Sequence, residues 1–405
     1  MAKGRVISGI DIGTSQVKVL ISQLKPDGEI EILSQISEPS FGVRKGVIVD
    51  INNMADIIQV AFSKAREESE QKINSAYINI NGAHVFSTSS HSLISVSRAD
   101  RKISEEDIDR VLKEAKTISL PSNKEILEVI PKEFIVDGEG GLKEVLGMEG
   151  VRLETEVLAV GVFSPYLKNL TKTVLKADIN IEGIIPSALA GERAILKKRE
   201  KELGVLLLDI GAGTTEMSVF EEGNLIHMIV LPIGSAHITN DIAVGLKIDV
   251  DSAEKIKLEF GTCLFRGKDK KEKIDLDEGE YLMFSHKQVA SIISTRVSEI
   301  FDEVNKELKK ISKQHLPGGV VLTGGGAKLP KIAELAKKEL KLSSRIGKPR
   351  GFSEGVNDPA LATVCGLVLS GIDMEGMDSS TGSFDLKIGK KATSWIKRFL
   401  KELKP

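Results

Sequence analysis

Short apolar runs that end at a glycine turn recur along the chain and set its predicted architecture. The run Val205–Leu208 is followed at once by Asp209 and by the glycine-rich stretch Gly211–Thr215. Near the start of the sequence, Val6–Lys18 repeats the order of strand residues, aspartate, glycine and hydroxyl residues. A short apolar run bounded by glycine is typical of a buried strand that ends in a tight turn. The pattern therefore predicts two related half-domains, each with a strand and turn at its centre.

Both predicted turns have residues that suit phosphate binding. A glycine turn lets backbone N–H groups approach phosphate oxygens, because no Cβ blocks the approach and positive φ is allowed. Threonine hydroxyls add donors, and Asp209 is suited to hold a water of a Mg²⁺ shell. An unliganded β-hairpin turn explains either stretch alone, but the second copy favours two turns that face one phosphate chain. A third strand, Val320–Thr323, runs into three glycines, Gly324–Gly326, which let the backbone lie against a nucleobase or ribose.

The pattern around these turns predicts a duplicated α/β domain with an insertion. Up to residue 82 the order is β-β-β-α-β, and from 83 to 162 long alternating segments surround a helix that begins at a Ser104–Asp107 capping box. We interpret 83–162 as an inserted module for interaction or assembly, because it has no catalytic constellation. The predicted strands of this part are 6–21, 29–36, 47–50, 76–81, 85–98, 125–136 and 151–162, with helices at 53–71 and 104–118 and a glycine-rich loop at 138–141.

Helical spacing dominates the second half. Glu254 and Lys257 lie three residues apart and share a helix face, where a solvated salt bridge is the alternative to a ligand contact. Gly234 offers a further backbone approach to phosphate. The apolar segment 360–372 is too short to cross a membrane and is expected to be a buried helix. Further helices are predicted at 166–177, 180–190 (entered through Pro186), 238–246, 250–259, 287–313 and 329–340.

Composition restricts the class of protein without pointing to a ligand. The 405 residues are enough for two or more packed units, and 56 Lys+Arg against 58 Asp+Glu indicate neither a nucleic-acid nor an acidic partner. Cys263 and Cys365 are isolated and the six His are scattered, which excludes a disulfide framework or a His cluster and fits a reducing cytoplasm. No signal peptide is predicted, since Lys3 and Arg5 lead straight into a strand.

The C-terminal stretch differs from the rest in composition. Residues 371–389 are rich in Gly, Ser and Asp and are predicted to form a flexible linker. Residues 390–405 are predicted to form a basic amphipathic helix suited to the headgroup region of an anionic membrane, with packing on the chain's own domain or in a partner groove as alternatives. Its apolar face holds Trp395, Ile396, Phe399, Leu400 and Leu403, and its basic residues include Lys391, Lys397, Arg398, Lys401 and Lys404.

The three glycine motifs resemble those of the actin-like ATPase superfamily. Asp11–Lys18 is similar to the first phosphate motif, Asp209–Thr215 to the second, and Thr323–Lys328 to the adenosine motif, while 184–191 and 358–366 resemble the two connecting helices. With the insertion and the C-terminal stretch, the resemblance is greatest to the FtsA family of cell-division proteins, which tie FtsZ filaments to the membrane. It implies an α/β, actin-like (ribonuclease H-like) duplicated domain of two lobes and four subdomains, with a nucleotide cleft and a C-terminal amphipathic helix.

The resemblance also implies a set of ligands, partners and a location. The cofactors are ATP and Mg²⁺, and the partners are the FtsZ C-terminal peptide, further copies of the chain in filaments, other division proteins and anionic inner-membrane lipids, without nucleic acid. The location is the cytoplasmic face of the inner membrane at the division septum, within the Z-ring and divisome. The implied units are 1–82 with 163–192 (first lobe), 83–162 (assembly subdomain), 193–238 with 313–370 (second lobe), 239–312 (FtsZ-peptide subdomain), 371–389 (linker) and 390–405 (membrane helix).

Site residues follow from the same resemblance. Asp11 and Asp209 would organise Mg²⁺ through water, Glu254 and Lys257 would reach the ribose, and Lys287 and Arg296 are assigned the positive charge of the peptide groove. Membrane contact falls to Trp395, Ile396, Lys397, Arg398, Phe399, Leu400 and Leu403. Nucleotide contact falls to Gly13, Thr14, Ser15, Lys18, Gly211, Ala212, Gly213, Thr214, Thr215, Gly234, Gly324, Gly325 and Gly326.

One position departs from the superfamily pattern. Chaperone and shape-protein branches have a glutamate just before the proline of the first connecting helix, where it positions the attacking water. This sequence has Ile185 there, which cannot orient water, so we expect tight ATP binding with at most slow hydrolysis. A PilM-like scaffold and a small-molecule kinase are the alternatives. A kinase needs an aspartate general base near the γ-phosphate, and we find no candidate beyond Asp11 and Asp209. A chaperone-like ATPase is disfavoured because no peptide-binding domain is expected after the second lobe.

Overall fold

In the computed structural model, which describes residues 4–275, 281–353 and 355–379, the first part of the chain forms a five-stranded sheet with helices against it. The strands lie in the order β11-β6-β1-β2-β3, with β1 antiparallel to β2 and parallel to β6. The elements of this part, before and after the insertion, are β1 (Arg5–Ile12), β2 (Gln16–Leu24), β3 (Ile30–Pro39), β4 (Val43–Arg44), β5 (Val47–Ile48), α1 (Ile51–Ser69), β6 (Ser75–Ile80), then α3 (Ser164–Lys176), β11 (Asn180–Pro186), α4 (Ser187–Ile195) and α5 (Lys198–Leu203).

Between β6 and α3 the chain forms a separate four-stranded sheet. Its strand order is β7-β10-β8-β9, and α2 packs against it. Ser104 starts α2 as the sequence predicts, because its hydroxyl and the Asp107 carboxylate cap each other's backbone N–H groups. The predicted glycine-rich loop at 138–141 is instead largely strand, since β9 pairs with β8. The elements are β7 (Phe86–Ser95), α2 (Glu105–Lys116), β8 (Lys124–Val136), β9 (Glu139–Leu142) and β10 (Arg152–Phe163).

The second half repeats the topology of the first. Its five-stranded sheet has the order β14-β13-β12-β17-β18, with β12 antiparallel to β13 and parallel to β17. The predicted duplication is confirmed at this level, because β12 occupies the place of β1 and β17 that of β6. The elements are β12 (Val205–Ile210), β13 (Thr215–Glu221), β14 (Asn224–Leu231), α6 (Ser235–Leu246), α7 (Val250–Phe260), β15 (Lys271–Asp275), β16 (Tyr281–Ser285), α8 (His286–Lys310), β17 (Val320–Thr323), α9 (Ile332–Leu340), β18 (Ser344–Ile346) and α10 (Ala362–Ser379).

Each five-stranded sheet with its helices forms one lobe. Helices α4 and α10 cross each other between the two lobes. Helix α10 packs on β1 and β2 of the first lobe and crosses α4, where Gly366 lies against the carbonyl oxygen of Ala190. A side chain on Gly366 would overlap that oxygen, so only glycine allows this approach. Helix α10 continues to Ser379, so the linker predicted from residue 371 begins at least nine residues too early. The remainder of the predicted linker and the membrane helix, including Trp395 and Phe399, lie outside the described residues.

Two apolar cores fill the lobes. The first lobe buries one face of α1 and the inner face of its sheet, and Asp50 caps α1 by accepting from the N–H groups of Asn52 and Asn53. The second lobe buries a stripe of the long helix α8 that includes Val297, Phe301 and Val304. None of the helices in the described ranges is both long and apolar enough to cross a membrane.

Candidate functional site

Two turns with the same internal hydrogen bond stand at equivalent places in the two lobes. In the first turn (Gly13–Ser15, between β1 and β2), the Gly13 N–H donates to the Gln16 carbonyl at 3.0 Å. In the second turn (Gly211–Thr214, between β12 and β13), the Gly211 N–H donates to the Thr214 carbonyl at 2.9 Å. The shared Asp-Ile-Gly sequence therefore folds the same way twice.

The two turns lie against each other across the lobes. A Cβ on Gly213 would lie 2.7 Å from Thr14 Oγ1, and the Asn81 side chain donates to Thr214 Oγ1 at 3.2 Å. Within the described residues, the backbone N–H groups of Thr14, Ser15, Ala212 and Gly213 have no hydrogen-bond acceptor. Unpaired N–H groups on two facing turns suit an anion such as a phosphate chain.

Asp11 is buried at the end of β1 and is held from two sides. Asn79 on β6 donates from Nδ2 to Asp11 Oδ1 at 2.8 Å, and Lys18 Nζ lies 2.9 Å from Asp11 Oδ2. Burial lowers the pKa of Lys18, but the Asp11 carboxylate outweighs it and holds that pKa above its ordinary value. Lys18, expected to meet phosphate, is therefore a charged partner of Asp11 here.

Asp209 lies at the same position of the second lobe. Its carboxylate accepts from Thr363 at 3.4 Å at the start of α10 and lies against Gly324. Burial, and after it the charge of Asp11, raise the pKa of Asp209 to about 6, while Lys18 opposes the shift. No three His, Cys, Asp or Glu residues among those described are grouped closely enough to ligate a metal. The role expected for Asp11 and Asp209, in which they hold Mg²⁺ through water, stays a prediction.

Sequence reasoning missed Glu216, which faces Asp209 on the neighbouring strand. The two residues are directly opposite in the β12–β13 pairing, and Glu216 is 5% exposed. Its Oε2 is buried without a hydrogen-bond partner in the part of the chain that the structure describes. Burial, with the charges of Asp209 and Asp11, raises the pKa of Glu216 well above its ordinary value. The sequence signal that could have identified Glu216 is an acidic residue at a buried position of a strand.

The triple glycine lies beside the second turn. Gly324 has φ +83°, and a Cβ on Gly326 would lie 2.5 Å from the Ile210 side chain, so the backbone passes directly over the end of β12. A Cβ on Gly325 would meet nothing within 4 Å, which leaves this side of the backbone open. The predicted backbone platform is thus adjacent to Asp209.

Two residues expected to contact the nucleotide have other partners. The Gly234 N–H donates to His237 Nδ1 at 3.1 Å, and Gly234 packs against the carbonyls of the second turn. The Thr215 hydroxyl donates to the Ile233 carbonyl at 2.8 Å. Both residues hold the second turn against the start of α6.

Helix α7 places Glu254 and Lys257 side by side as the spacing predicts. Lys257 Nζ lies 2.6 Å from Glu254 Oε2 and 2.9 Å from Thr239 Oγ1, and Lys257 is buried while Glu254 is half-buried. The pair is therefore anchored to α6 through Thr239, and Glu254 remains accessible to a ligand.

The two cations assigned to a peptide groove differ in their surroundings. Arg296 is paired with Asp241, with Nη2 to Oδ1 at 2.8 Å, and also contacts Glu299. These two carboxylates neutralise much of its charge. Lys287 is exposed in the first turn of α8, and its backbone N–H donates to the Asp269 carboxylate. The structure thus gives Arg296 a structural ion pair that sequence spacing did not indicate.

Ile185, where the superfamily resemblance led us to look for a water-positioning glutamate, lies beside the cleft strands of the first lobe's sheet. It is buried on β11 opposite Asn79 of β6, directly before Pro186 and α4. An aliphatic side chain there offers no group that accepts or donates a proton.

The topology of the two lobes is that of an actin-like fold. The structure superposes on the PilM–PilN type IV pilus biogenesis complex with a TM-score of 0.67 at 18% identity, covering 90% of this chain and 98% of that one. It also matches MreB5 of Spiroplasma citri bound to ADP, with a TM-score of 0.56 at 15% identity over 93% of this chain and 99% of that one. At these identities the likeness concerns the fold.

Sequence comparison gives the family. The family model described as "Cell division protein FtsA" matches residues 206–366, and that described as "SHS2 domain inserted in FTSA" matches 82–160. Cell division protein FtsA of Pseudomonas aeruginosa is 34% identical over 93% of this chain and 92% of its own length, and that of Bacillus subtilis is 35% identical over 91% and 84%. The chain belongs to the FtsA family of cell-division proteins.

Proposed function

We propose that this chain is an ATP-binding, filament-forming adaptor that anchors FtsZ filaments to the cytoplasmic face of the inner membrane at the division septum. The observation that carries the nucleotide part is the pair of facing turns with unpaired N–H groups. Family membership supports the division role. The composition of residues 390–405 supports the membrane part.

The phosphates of ATP would be held by both turns. Donors would come from the N–H groups of Thr14, Ser15, Ala212 and Gly213, and the adenosine would lie along Gly324–Gly326 with its ribose toward Glu254. Mg²⁺ would supply the charge that neutralises the phosphates, with Asp11 and Asp209 holding its waters. The donor set fits this group, because hard oxygen ligands and oriented N–H donors are what Mg²⁺ and phosphate prefer.

Hydrolysis is expected to be slow. Phosphoryl transfer depends on a group that orients the attacking water, and Ile185 supplies none. The nucleotide would then act chiefly on lobe closure and on assembly. A single-turnover rate as fast as that of actin filaments would contradict this part of the proposal.

We assign self-assembly and FtsZ binding to different parts of the chain. Filament contacts would involve the actin-like lobes and the inserted sheet of β7–β10. The unit 239–312 would bind the FtsZ C-terminal peptide, with Lys287 as the more available cation because Arg296 is already paired. Binding of that peptide to the chain and to Lys287→Glu tests the assignment, with Arg296→Gln as a second variant.

The membrane contact would be made by the tail. Trp395, Ile396, Phe399, Leu400 and Leu403 would enter the headgroup region, with Lys397 and Arg398 on anionic lipids. Vesicle binding by the full chain, compared with a chain ended at Gly389, tests the assignment. Equal behaviour of the two chains would favour the alternative, a PilM-like scaffold without this anchor.

A further inference from the structure

A two-residue hairpin turn lies at the junction of the two lobes. Strands β4 and β5 pair Arg44 with Val47, so Lys45 and Gly46 are the turn. Both have positive φ, 50° and 77°, which is the backbone of a type I′ turn. Asn, Asp or Gly is preferred at the first position of such a turn, because other residues enter the left-handed region at a cost. Lysine at Lys45 is therefore not explained by the turn itself.

This hairpin turn contacts both the first turn (Gly13–Ser15) and the second turn (Gly211–Thr214). The Gly46 N–H donates to Thr14 Oγ1 of the first turn at 3.1 Å. A Cβ on Gly213 of the second turn would lie 3.0 Å from the Cα of Lys45. Behind it, a Cβ on Gly46 would lie 2.8 Å from the Gly82 backbone nitrogen. Close packing against both lobes fixes the backbone of Lys45 beside both sets of unpaired N–H groups.

The charge of Lys45 is uncompensated. The residue is exposed, and across 4–275, 281–353 and 355–379 no carboxylate or hydrogen-bond acceptor contacts its side chain. Lys18, the cation that sequence reasoning assigned to phosphate, is instead 2.9 Å from Asp11. A compact ammonium beside the proposed anion site is suited to phosphate binding as a point charge.

We infer that the Lys45 ammonium binds the terminal phosphate of the bound nucleotide and distinguishes a triphosphate from a diphosphate. The inference rests on the proposed nucleotide site and assigns it a residue outside the three glycine motifs. A contact with the terminal phosphate also links nucleotide state to the lobe junction, because Gly46 and Lys45 touch both turns. A merely solvated hairpin lysine is the competing explanation.

The test is the affinity of the full chain for Mg-ATP and Mg-ADP, measured by calorimetry. Lys45→Asn removes the charge and suits the type I′ backbone better than lysine, so loss of binding would not come from a damaged hairpin. We expect affinity for Mg-ATP to fall about tenfold or more and that for Mg-ADP to fall less than threefold. Lys45→Gly is expected to give the same pattern, and Lys45→Arg to retain most of the preference for ATP.

The matched control is Arg44→Asn, which removes an exposed cation one residue away in the same hairpin. It should change both affinities less than threefold. The inference is overturned if Lys45→Asn binds Mg-ATP like the parent, or if Mg-ATP and Mg-ADP lose affinity equally. A parent chain that binds neither nucleotide would instead overturn the proposed nucleotide site, so the two failures are distinguishable.

Discussion

Asn79 Nδ2 donates a hydrogen bond to Asp11 Oδ1 at 2.8 Å, although the two residues are 68 positions apart in the sequence. The same amide donates to Ser187 Oγ at 3.0 Å, and its oxygen accepts from the Ile12 N–H at 2.7 Å. One buried side chain of β6 thus joins the end of β1 to the start of α4. The relationship makes the orientation of Asp11 depend on β6 and on a helix between the lobes.

Replacing Asn79 by alanine is expected to weaken Mg-ATP binding more than Mg-free ATP binding. The substitution leaves the Asp11 carboxylate without its amide donor, and hydrogen bonds to a charged group contribute about 1.5–3 kcal/mol. Affinity titrations with and without Mg²⁺ measure the difference. Ser187→Ala is the control, because the Ser187 hydroxyl bonds to the Asn79 amide and to the Ile80 carbonyl rather than to Asp11. Equal losses with and without Mg²⁺ would mean that Asn79 acts on overall stability instead.

Adding a side chain at Gly213 is expected to separate the two turns. A Cβ there would lie 2.7 Å from Thr14 Oγ1 and 3.0 Å from the Lys45 Cα, so Gly213→Val forces the lobes apart. ATP affinity should fall at least tenfold while the second lobe stays folded. Calorimetry and circular dichroism check this, with Gly355→Ala as control because a Cβ at Gly355 would meet nothing within 4 Å. Unchanged affinity in Gly213→Val would show that phosphate does not bind between the turns.

Alanine at Gly366 is expected to destabilise the crossing of α4 and α10. The new Cβ would overlap the Ala190 carbonyl oxygen, and relief requires the two helices to move apart. We expect a loss of about 1–3 kcal/mol in the free energy of unfolding, measured by urea denaturation beside the Gly355→Ala control. A midpoint equal to that of the parent would mean that the crossing adjusts freely.

Glu128 on β8 gives a pH-dependent prediction. Burial raises the pKa of Glu128 to about 7 in the folded chain, from 4.5, with Lys116 opposing the shift. The folded state therefore holds a proton that the unfolded state has lost, so stability falls as pH rises from about 4.5 to 7 and stays low above it. Glu128→Gln should raise the free energy of unfolding at pH 8 by about 1–2 kcal/mol, because partial exposure of Glu128 to solvent weakens the effect of burial. At pH 5 the substitution should change the free energy of unfolding little.

The control for this prediction is Glu149→Gln, at an exposed position of the same inserted sheet region. Unfolding of both variants is followed at pH 5 and pH 8. A gain in Glu128→Gln that is the same at both pH values would contradict the assigned titration.

The sequence predicted the duplicated lobes, because the Asp-Ile-Gly turns and the helix spacing are local patterns. Ser104 and Asp107 gave the start of α2 for the same reason. Asn79, Glu216 and Lys45 were missed, because their surroundings come from pairing and packing that local patterns do not show. Asn79 reaches Asp11 through the pairing of β6 with β1, Glu216 lies opposite Asp209 in the β12–β13 register, and Lys45 is in a hairpin that packs against both turns. The Gly, Ser and Asp content from residue 371 onward predicted a linker where the structure has the last turns of α10. Gly371 packs against Tyr77 within that helix.

The resemblance assigned ligands to residues whose protein contacts it did not indicate, and those ligand contacts stay predictions. Lys18, Thr215, Gly234 and Arg296 were assigned to ligands, yet each has a protein partner in the structure. Glycine and threonine are equally suited to a ligand turn and to packing of that turn. Only the fold shows which N–H and hydroxyl groups remain unpaired.

The proposed function requires this chain to carry FtsZ filaments to a membrane under the control of ATP. The measurement is co-sedimentation of purified FtsZ with anionic vesicles, using the full chain, a chain ended at Gly389, and Trp395→Glu with Phe399→Glu, each with and without Mg-ATP. We predict that FtsZ and the chain pellet with vesicles only when the tail is intact, and more with Mg-ATP. Equal pelleting of FtsZ with the truncated chain, or none with the full chain, would contradict the account.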